Sequence, residues 1–312
     1  MLDLEDPLDI VVDPDSKIFK DRVQAELFRM ATQEEAERLY ALQRAKVVPI
    51  PTPVKPEDVL PKAVPELLKG ILLASGATGI IGEKETGKSL TALEIQYSLL
   101  TGTPLWGDIK PVKGVSRTVH FLAEHTSQTL QELYQRTKMP STGGINIYGP
   151  ELLGPYKLLV SNGTRREQAI GRYKKMAEGA GLIVFDPMAA FIQGEAAEND
   201  NNPMRNLIDT MIEIAESAGA ACLVLGHQGK PKFTSEGHKI QKNAYATRGA
   251  SGTEDALTAV HYLERCEGEL FNQCPVYRLR AVHYKGRKHP PFKFYRDNET
   301  CRQILLTKAV QG

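Results

Sequence analysis

The sequence is short of the residues that build extracellular scaffolds and membrane segments. Its four cysteines, Cys222, Cys266, Cys274 and Cys301, show no C-x-x-C spacing and no clustered histidines. Neither a disulfide framework nor a zinc site is therefore indicated, and reduced thiols are expected. No run approaches the roughly 20 apolar residues that a membrane-spanning helix needs. The first residues, Met1-Leu2-Asp3-Leu4-Glu5-Asp6, are acidic rather than signal-like. A soluble, cytoplasmic chain with no membrane partner is expected. Charge of one sign is also missing: 39 Lys and Arg face 38 Asp and Glu, for a net charge of +1. Any nucleic-acid surface must then be a local patch rather than a property of the whole molecule. With 312 residues and 41% hydrophobic content, one large or two modest domains with a sizeable core are within reach.

What the chain does have is Gly82-Glu83-Lys84-Glu85-Thr86-Gly87-Lys88-Ser89, which fits the phosphate-loop pattern G-x-x-x-x-G-K-[ST]. Ala77-Thr78-Gly79-Ile80-Ile81 before it suits a buried strand. Leu90, Leu93, Ile95 and Leu99 after it recur at helical spacing up to Gly102. Two glycines let backbone N–H groups turn inward around a phosphate, and a helix N-terminus adds partial positive charge behind them. Gly82 through Leu90 are the expected nucleotide contacts, with Lys88 reaching the outer phosphates.

The remaining landmarks follow in chain order. Residues 1–48 are expected to be a helical arm, with Phe19, Val23, Leu27 and Met30 on one side and a fresh helix start at Thr32-Gln33-Glu34-Glu35, a capping-box pattern. The arm either packs on its own domain or docks on a neighbouring subunit. Residues 49–65 hold six prolines and read as a semi-rigid linker. Residues 66–312 form the main domain. Within it, Thr118–Ala123 reads as a strand ending at Glu124, a carboxylate placed to orient a water. Leu182-Ile183-Val184-Phe185-Asp186 reads as a doubly covered strand whose aspartate lies at the sheet rim, where Mg²⁺ would be held opposite Ser89. The basic run in Thr164–Gly179 is read as a solvated helix face. Ala220–Leu225 leads into Gly226-His227-Gln228, a polar pair suited to sensing a γ-phosphate. Residues 228–247 carry Lys230, Lys232, Lys239 and Lys242 with Phe233 and Tyr245 among them, a composition that suits single-stranded nucleic acid. Leu257–Leu263, Val276–Tyr284, Phe292–Tyr295 and Gln303–Leu306 are short β-type runs that suggest antiparallel hairpins extending the sheet.

This order of parts resembles the RecA-superfamily P-loop ATPases (AAA_25-type) and, within them, the RepA-like hexameric helicases. The match runs over about residues 66–290 and also takes in Glu198-Asn199-Asp200, Gly226-His227-Gln228-Gly229-Lys230 and Arg248-Gly249-Ala250-Ser251. The paired histidines common in RepA-like proteins are here His227-Gln228. No arginine follows Arg248 until Arg265, so the trans-acting finger is moved to Lys285-Gly286-Arg287.

The resemblance implies an α/β fold: a RecA-like P-loop core of mostly parallel sheet flanked by helices, with C-terminal antiparallel hairpins. It implies ATP and Mg²⁺ bound between subunits of a homo-oligomer, a hexameric ring. Lys88 and Ser89 would grip the phosphates, Asp186 would order the metal's water, and Glu124 would align the attacking water. Arg287, with Lys285, would arrive from the neighbour. Single-stranded DNA would be gripped in the channel by the loop lysines and Arg248, and a separate primase or initiator would complete the machinery. A recombinase or mediator, or a ring ATPase acting on proteins, is the alternative.

Overall fold

The computed structural model describes residues 64–124, 126–154, 157–158, 163–192, 201–228, 255–285 and 290–306, together with scattered positions between 21 and 35. The chain divides into two units, residues 1–61 and 62–312. In the first unit the described positions are helical on both sides of Thr32. The Thr32 hydroxyl donates back to the Arg29 carbonyl at 2.9 Å.

Among the described residues of the second unit the strands are β1 (Glu66–Leu68), β2 (Leu72–Leu73), β3 (Ala77–Gly82), β4 (Thr118–Leu122), β5 (Ile145–Tyr148), β6 (Leu182–Asp186), β7 (Ala221–His227), β8 (Ala259–Phe271), β9 (Cys274–Tyr284), β10 (Phe292–Arg296) and β11 (Gln303–Leu305). The helices are α1 (Lys88–Thr101), α2 (Ser127–Arg136), α3 (Pro150–Leu153), α4 (Gly163–Ala177) and α5 (Asn201–Ser217). Strands β1 and β2 pair with each other. The other nine form one sheet in the order β11-β10-β9-β8-β3-β7-β6-β4-β5. Neighbours from β8 through β5 are parallel, and β9, β10 and β11 continue the sheet antiparallel. The expected mostly parallel α/β sheet with C-terminal antiparallel strands is what the chain builds.

The apolar runs of β3, β4 and β6 have a direct cause, because every residue in them is buried. Parallel strands covered on both faces have no solvent side to alternate toward. On one face Phe121, Phe185, Tyr173 and Phe191 make tilted and edge-to-face ring contacts with centroids 4.8 to 6.1 Å apart, joined by Leu207, Ile208 and Met211 of α5. On the other face Ile95 and Leu99 of α1 pack with Leu223, Trp106 and Phe294. Strand β8 runs eight residues past its expected end at Leu263. Its second half, Glu264 to Phe271, is polar and largely exposed, held by pairing with β9 rather than by an apolar pattern.

Helix α1 is buried nearly all round, and its polar residues therefore need partners inside the protein. Glu94, 5% exposed, accepts the indole N–H of Trp106 at 3.0 Å and the backbone N–H of Gln303 at 2.8 Å. The Gln303 side chain also bonds Thr91 and Trp106 at 2.9 Å each. The last strand of the sheet is thereby bolted onto the helix that follows the phosphate loop. Burial pushes the Glu94 carboxyl up to about 8, against the lowering effect of the Gln303 N–H, of Arg302, of Trp106 and of Arg296.

Above the ordinary value of 4.5 the unfolded chain releases a proton that the folded chain keeps until about pH 8, so stability falls as pH rises through that window and is level above it. Urea unfolding should show the wild type losing on the order of 4 kcal/mol between pH 5 and pH 8 from this one group. Glu94→Gln should flatten that loss; an unchanged slope in the variant would place the titrating group elsewhere.

Candidate nucleotide site

The site is assembled at the C-terminal ends of the parallel strands. Strand β3 stops at Gly82, the loop crosses to Gly87, and α1 begins at Lys88. Gly87 has φ 91°, a left-handed conformation that favours glycine, and the Arg296 guanidinium packs where a Cβ would lie. Glu85, with φ 63°, gives the loop a second left-handed residue, which turns successive N–H groups to one side. Gly82 is needed for space: a Cβ would meet the Leu263 carbonyl oxygen of β8 at 2.5 Å. The spacing of the motif is therefore the spacing at which the backbone can close.

Lys88 is 6% exposed, and its ammonium donates to the carbonyls of Glu83 at 2.7 Å and Gly82 at 3.1 Å. Burial lowers its pKa, while Asp186 and Glu124 pull it back up. Asp186 ends β6 and is 5% exposed. Burial alone would raise its carboxyl, but hydrogen bonds from His120 and the Ser89 hydroxyl, with the Lys88 charge, hold it below the usual range.

Glu124 follows β4, with an oxygen 3.6 Å from His227 Nε2 at the end of β7, longer than a hydrogen bond. Burial and the nearby Lys88 charge lower the His227 pKa against the opposing effect of Glu124. Both ring nitrogens of His227 are buried without a hydrogen-bond partner.

Lys84, Glu85, Gly87, Lys88, Ser89, Leu90, Glu124, Asp186 and His227 all line one cleft of about 680 Å³. The volume is in the range of a cofactor pocket. The residues suit a nucleotide and Mg²⁺. The loop offers left-handed backbone to an anion, the lysine has no directly paired carboxylate among the described residues, and the histidine has unfilled hydrogen-bonding capacity. Ser89 and Asp186 offer hard oxygen donors, one hydroxyl and one carboxylate, which is the sparse protein contribution Mg²⁺ takes when phosphates supply the rest. Among the described residues no cluster of three metal-ligating side chains competes with that arrangement.

Sequence reasoning missed the far wall of the cleft. Arg296 of β10 donates to the Thr86 carbonyl at 3.2 Å and stands over the Tyr277 ring at 4.9 Å. It holds the outside of the phosphate loop from the antiparallel end of the sheet. Arg136 at the end of α2 reaches Cys301 Sγ at 3.4 Å, and Arg136, Arg296 and Cys301 all line the cleft. No local signal marks these residues, because their partners lie 165 and 210 positions away. His120 was also passed over, read as one more residue of an apolar strand. Lys285 follows β9 with its amide on Thr258, and it is not among the cleft residues of its own chain. Arg287, Lys230, Lys232, Lys239, Lys242, Arg248 and Glu198-Asn199-Asp200 lie outside the described residues.

A phosphate loop between a central parallel strand and a buried helix, with a carboxylate ending the strand one place removed, defines a P-loop NTPase. Comparison with known families agrees. The model of the AAA domain family AAA_25 matches residues 41–232, and the chain belongs to that family of P-loop ATPases. No curated protein matches the chain. Among the described residues no helix is long and apolar enough to cross a membrane.

Removing the outer support of the loop should weaken the site without unfolding it. Arg296→Ala is expected to lower affinity for a fluorescent ATP analogue about tenfold, the cost of one lost charged hydrogen bond, with thermal unfolding little changed. Equal affinity in the variant would show that the loop holds its shape unaided.

Proposed function

We propose that this P-loop ATPase is an ATP-driven DNA translocase of the RepA-like, ring-shaped kind, hydrolysing ATP at the seams between subunits and gripping single-stranded DNA in the channel. The observation that carries the hydrolytic part is the meeting of Glu124 and His227, 3.6 Å apart, over the cleft that Lys88, Ser89 and Asp186 also line. A carboxylate at that place can align a water for in-line attack on the γ-phosphoryl group. His227, neutral because burial lowers its pKa, has a ring N–H free to register whether that group is present.

Lys88 exchanges the carbonyls of Gly82 and Glu83 for the outer phosphate oxygens. Ser89 and Asp186 would hold Mg²⁺, which would neutralise charge on the phosphates. Translocation, the hexameric ring, the finger at Arg287 with Lys285, and the DNA contacts at Lys230, Lys232, Lys239, Lys242 and Arg248 rest on the resemblance and on the basic, aromatic composition of the 228–247 segment. A second reading has a specific observation behind it: Arg136 and Arg296 line the cleft in the same chain. In that reading the transition-state charge is met in cis, and no neighbour is needed.

Glu124→Gln should keep ATP affinity and lose roughly 10² to 10⁴ in turnover, the usual worth of a positioned general base. Turnover near the wild-type rate would remove Glu124 from the chemistry. Single-stranded DNA should raise the ATPase rate per chain, and that rate should climb with protein concentration as subunits assemble. A rate indifferent to dilution favours the cis arginines, and one indifferent to DNA favours a protein substrate. Changing the four loop lysines to alanine should weaken DNA binding and flatten its dependence on salt, because each phosphate contact releases counterions. Unchanged binding would locate the DNA elsewhere.

A further inference from the structure

Three polar side chains with no solvent exposure lie between α1 and the sheet: Thr118, Gln96 and His120. Each hydrogen bond among them has a readable direction. The Thr118 hydroxyl donates to Gln96 Oε1 at 3.0 Å. The other end of the same amide is 3.2 Å from the Ala92 carbonyl, which can only accept, so that end is the NH₂. The same Nε2 is 3.0 Å from His120 Nδ1. Nδ1 is therefore the acceptor, and in the neutral ring the proton sits on Nε2. That nitrogen is 3.4 Å from Asp186 Oδ2. The chain runs one way, from a strand hydroxyl through an amide and an imidazole to the carboxylate beside Ser89.

We infer that His120 is a positioning residue for Asp186: its Nε2–H, locked in that tautomer by Gln96, fixes the rotamer in which the carboxylate would meet Mg²⁺. The inference rests on the reading of Asp186 as part of the metal site. Burying a threonine, a glutamine and a histidine in a doubly covered sheet is costly unless all are satisfied, and here their bonds end on one oxygen of the carboxylate at the cleft. An outer partner that orients a ligating group is commonly worth 10- to 100-fold in metal affinity. His120 is not among the residues that line the cleft. Its effect must pass through Asp186.

The test measures Mn²⁺ binding to the ATP-loaded chain by electron paramagnetic resonance, and ATP-analogue binding in EDTA, for wild type, His120→Leu, His120→Gln, Gln96→Met and Asp186→Asn. His120→Leu should weaken Mn²⁺ about tenfold or more while metal-free nucleotide affinity stays unchanged. His120→Gln, which can still offer an N–H near the Nε2 position, should recover most of the loss. Gln96→Met, one bond further back, should cost a few-fold, and it carries the test if His120→Leu does not fold. Unchanged Mn²⁺ affinity in His120→Leu and Gln96→Met, or equal loss of metal and metal-free nucleotide binding with no rescue by glutamine, overturns the relay. Asp186→Asn separates the two claims: if it leaves Mn²⁺ affinity intact, the metal site itself is wrong, whereas if it abolishes binding while His120→Leu does not, only the relay is.

Discussion

The molecule depends on one left-handed turn of backbone that favours glycine. Gly87, at φ 91° with a guanidinium where its Cβ would be, lets the chain leave β3 and start α1 with its amides turned to one side. From that turn follow the burial of Lys88 under its own loop, the placement of Ser89 opposite Asp186, and the direction of α1 across the sheet. The parallel strands then bring the rest. Because β7, β6 and β4 stand side by side next to β3, their C-terminal ends deliver His227, Asp186 and Glu124, two residues past Leu122, to the same rim.

The site is braced from two directions. Arg296 and Gln303, at the antiparallel end of the sheet, hold the phosphate loop at Thr86 and α1 at Thr91 and Glu94. The line from Thr118 through Gln96 and His120 holds Asp186 from within the core. Both braces use buried polar groups, which are expensive to leave unpaired and so tend to hold one arrangement. The phosphate loop is thus supported on its outer side by one part of the chain, and the Asp186 carboxylate by another.

How far the sequence could be read follows from how local each signal is. The phosphate loop, Asp186 at the end of an apolar strand, and Glu124 after another all show within a dozen residues of sequence, and the structure brings them to one cleft. The antiparallel strands were legible as elements, but β8 was taken to end at Leu263 because the exposed run from Glu264 to Phe271 carries no apolar period. Strands β1 and β2 are too short to show one. Arg296, Arg136 and Gln303 were invisible because pairings across 165 to 212 positions leave no mark on either partner's neighbours. His120 had a faint signal: a single ionisable residue in the middle of Thr-Val-His-Phe-Leu, a run otherwise suited to a doubly covered strand, has to be answered by something nearby.

The central claim is that this cradle holds ATP by its phosphates, with Lys88 and the Ser89 and Asp186 pair as the working contacts. Steady-state phosphate release with single-stranded DNA present, compared between wild type and Lys88→Ala in Mg²⁺ and in EDTA, tests it most directly. The account expects hydrolysis that requires Mg²⁺ and falls to background in the variant. Turnover in Lys88→Ala equal to the wild type, or hydrolysis undiminished in EDTA, would contradict it.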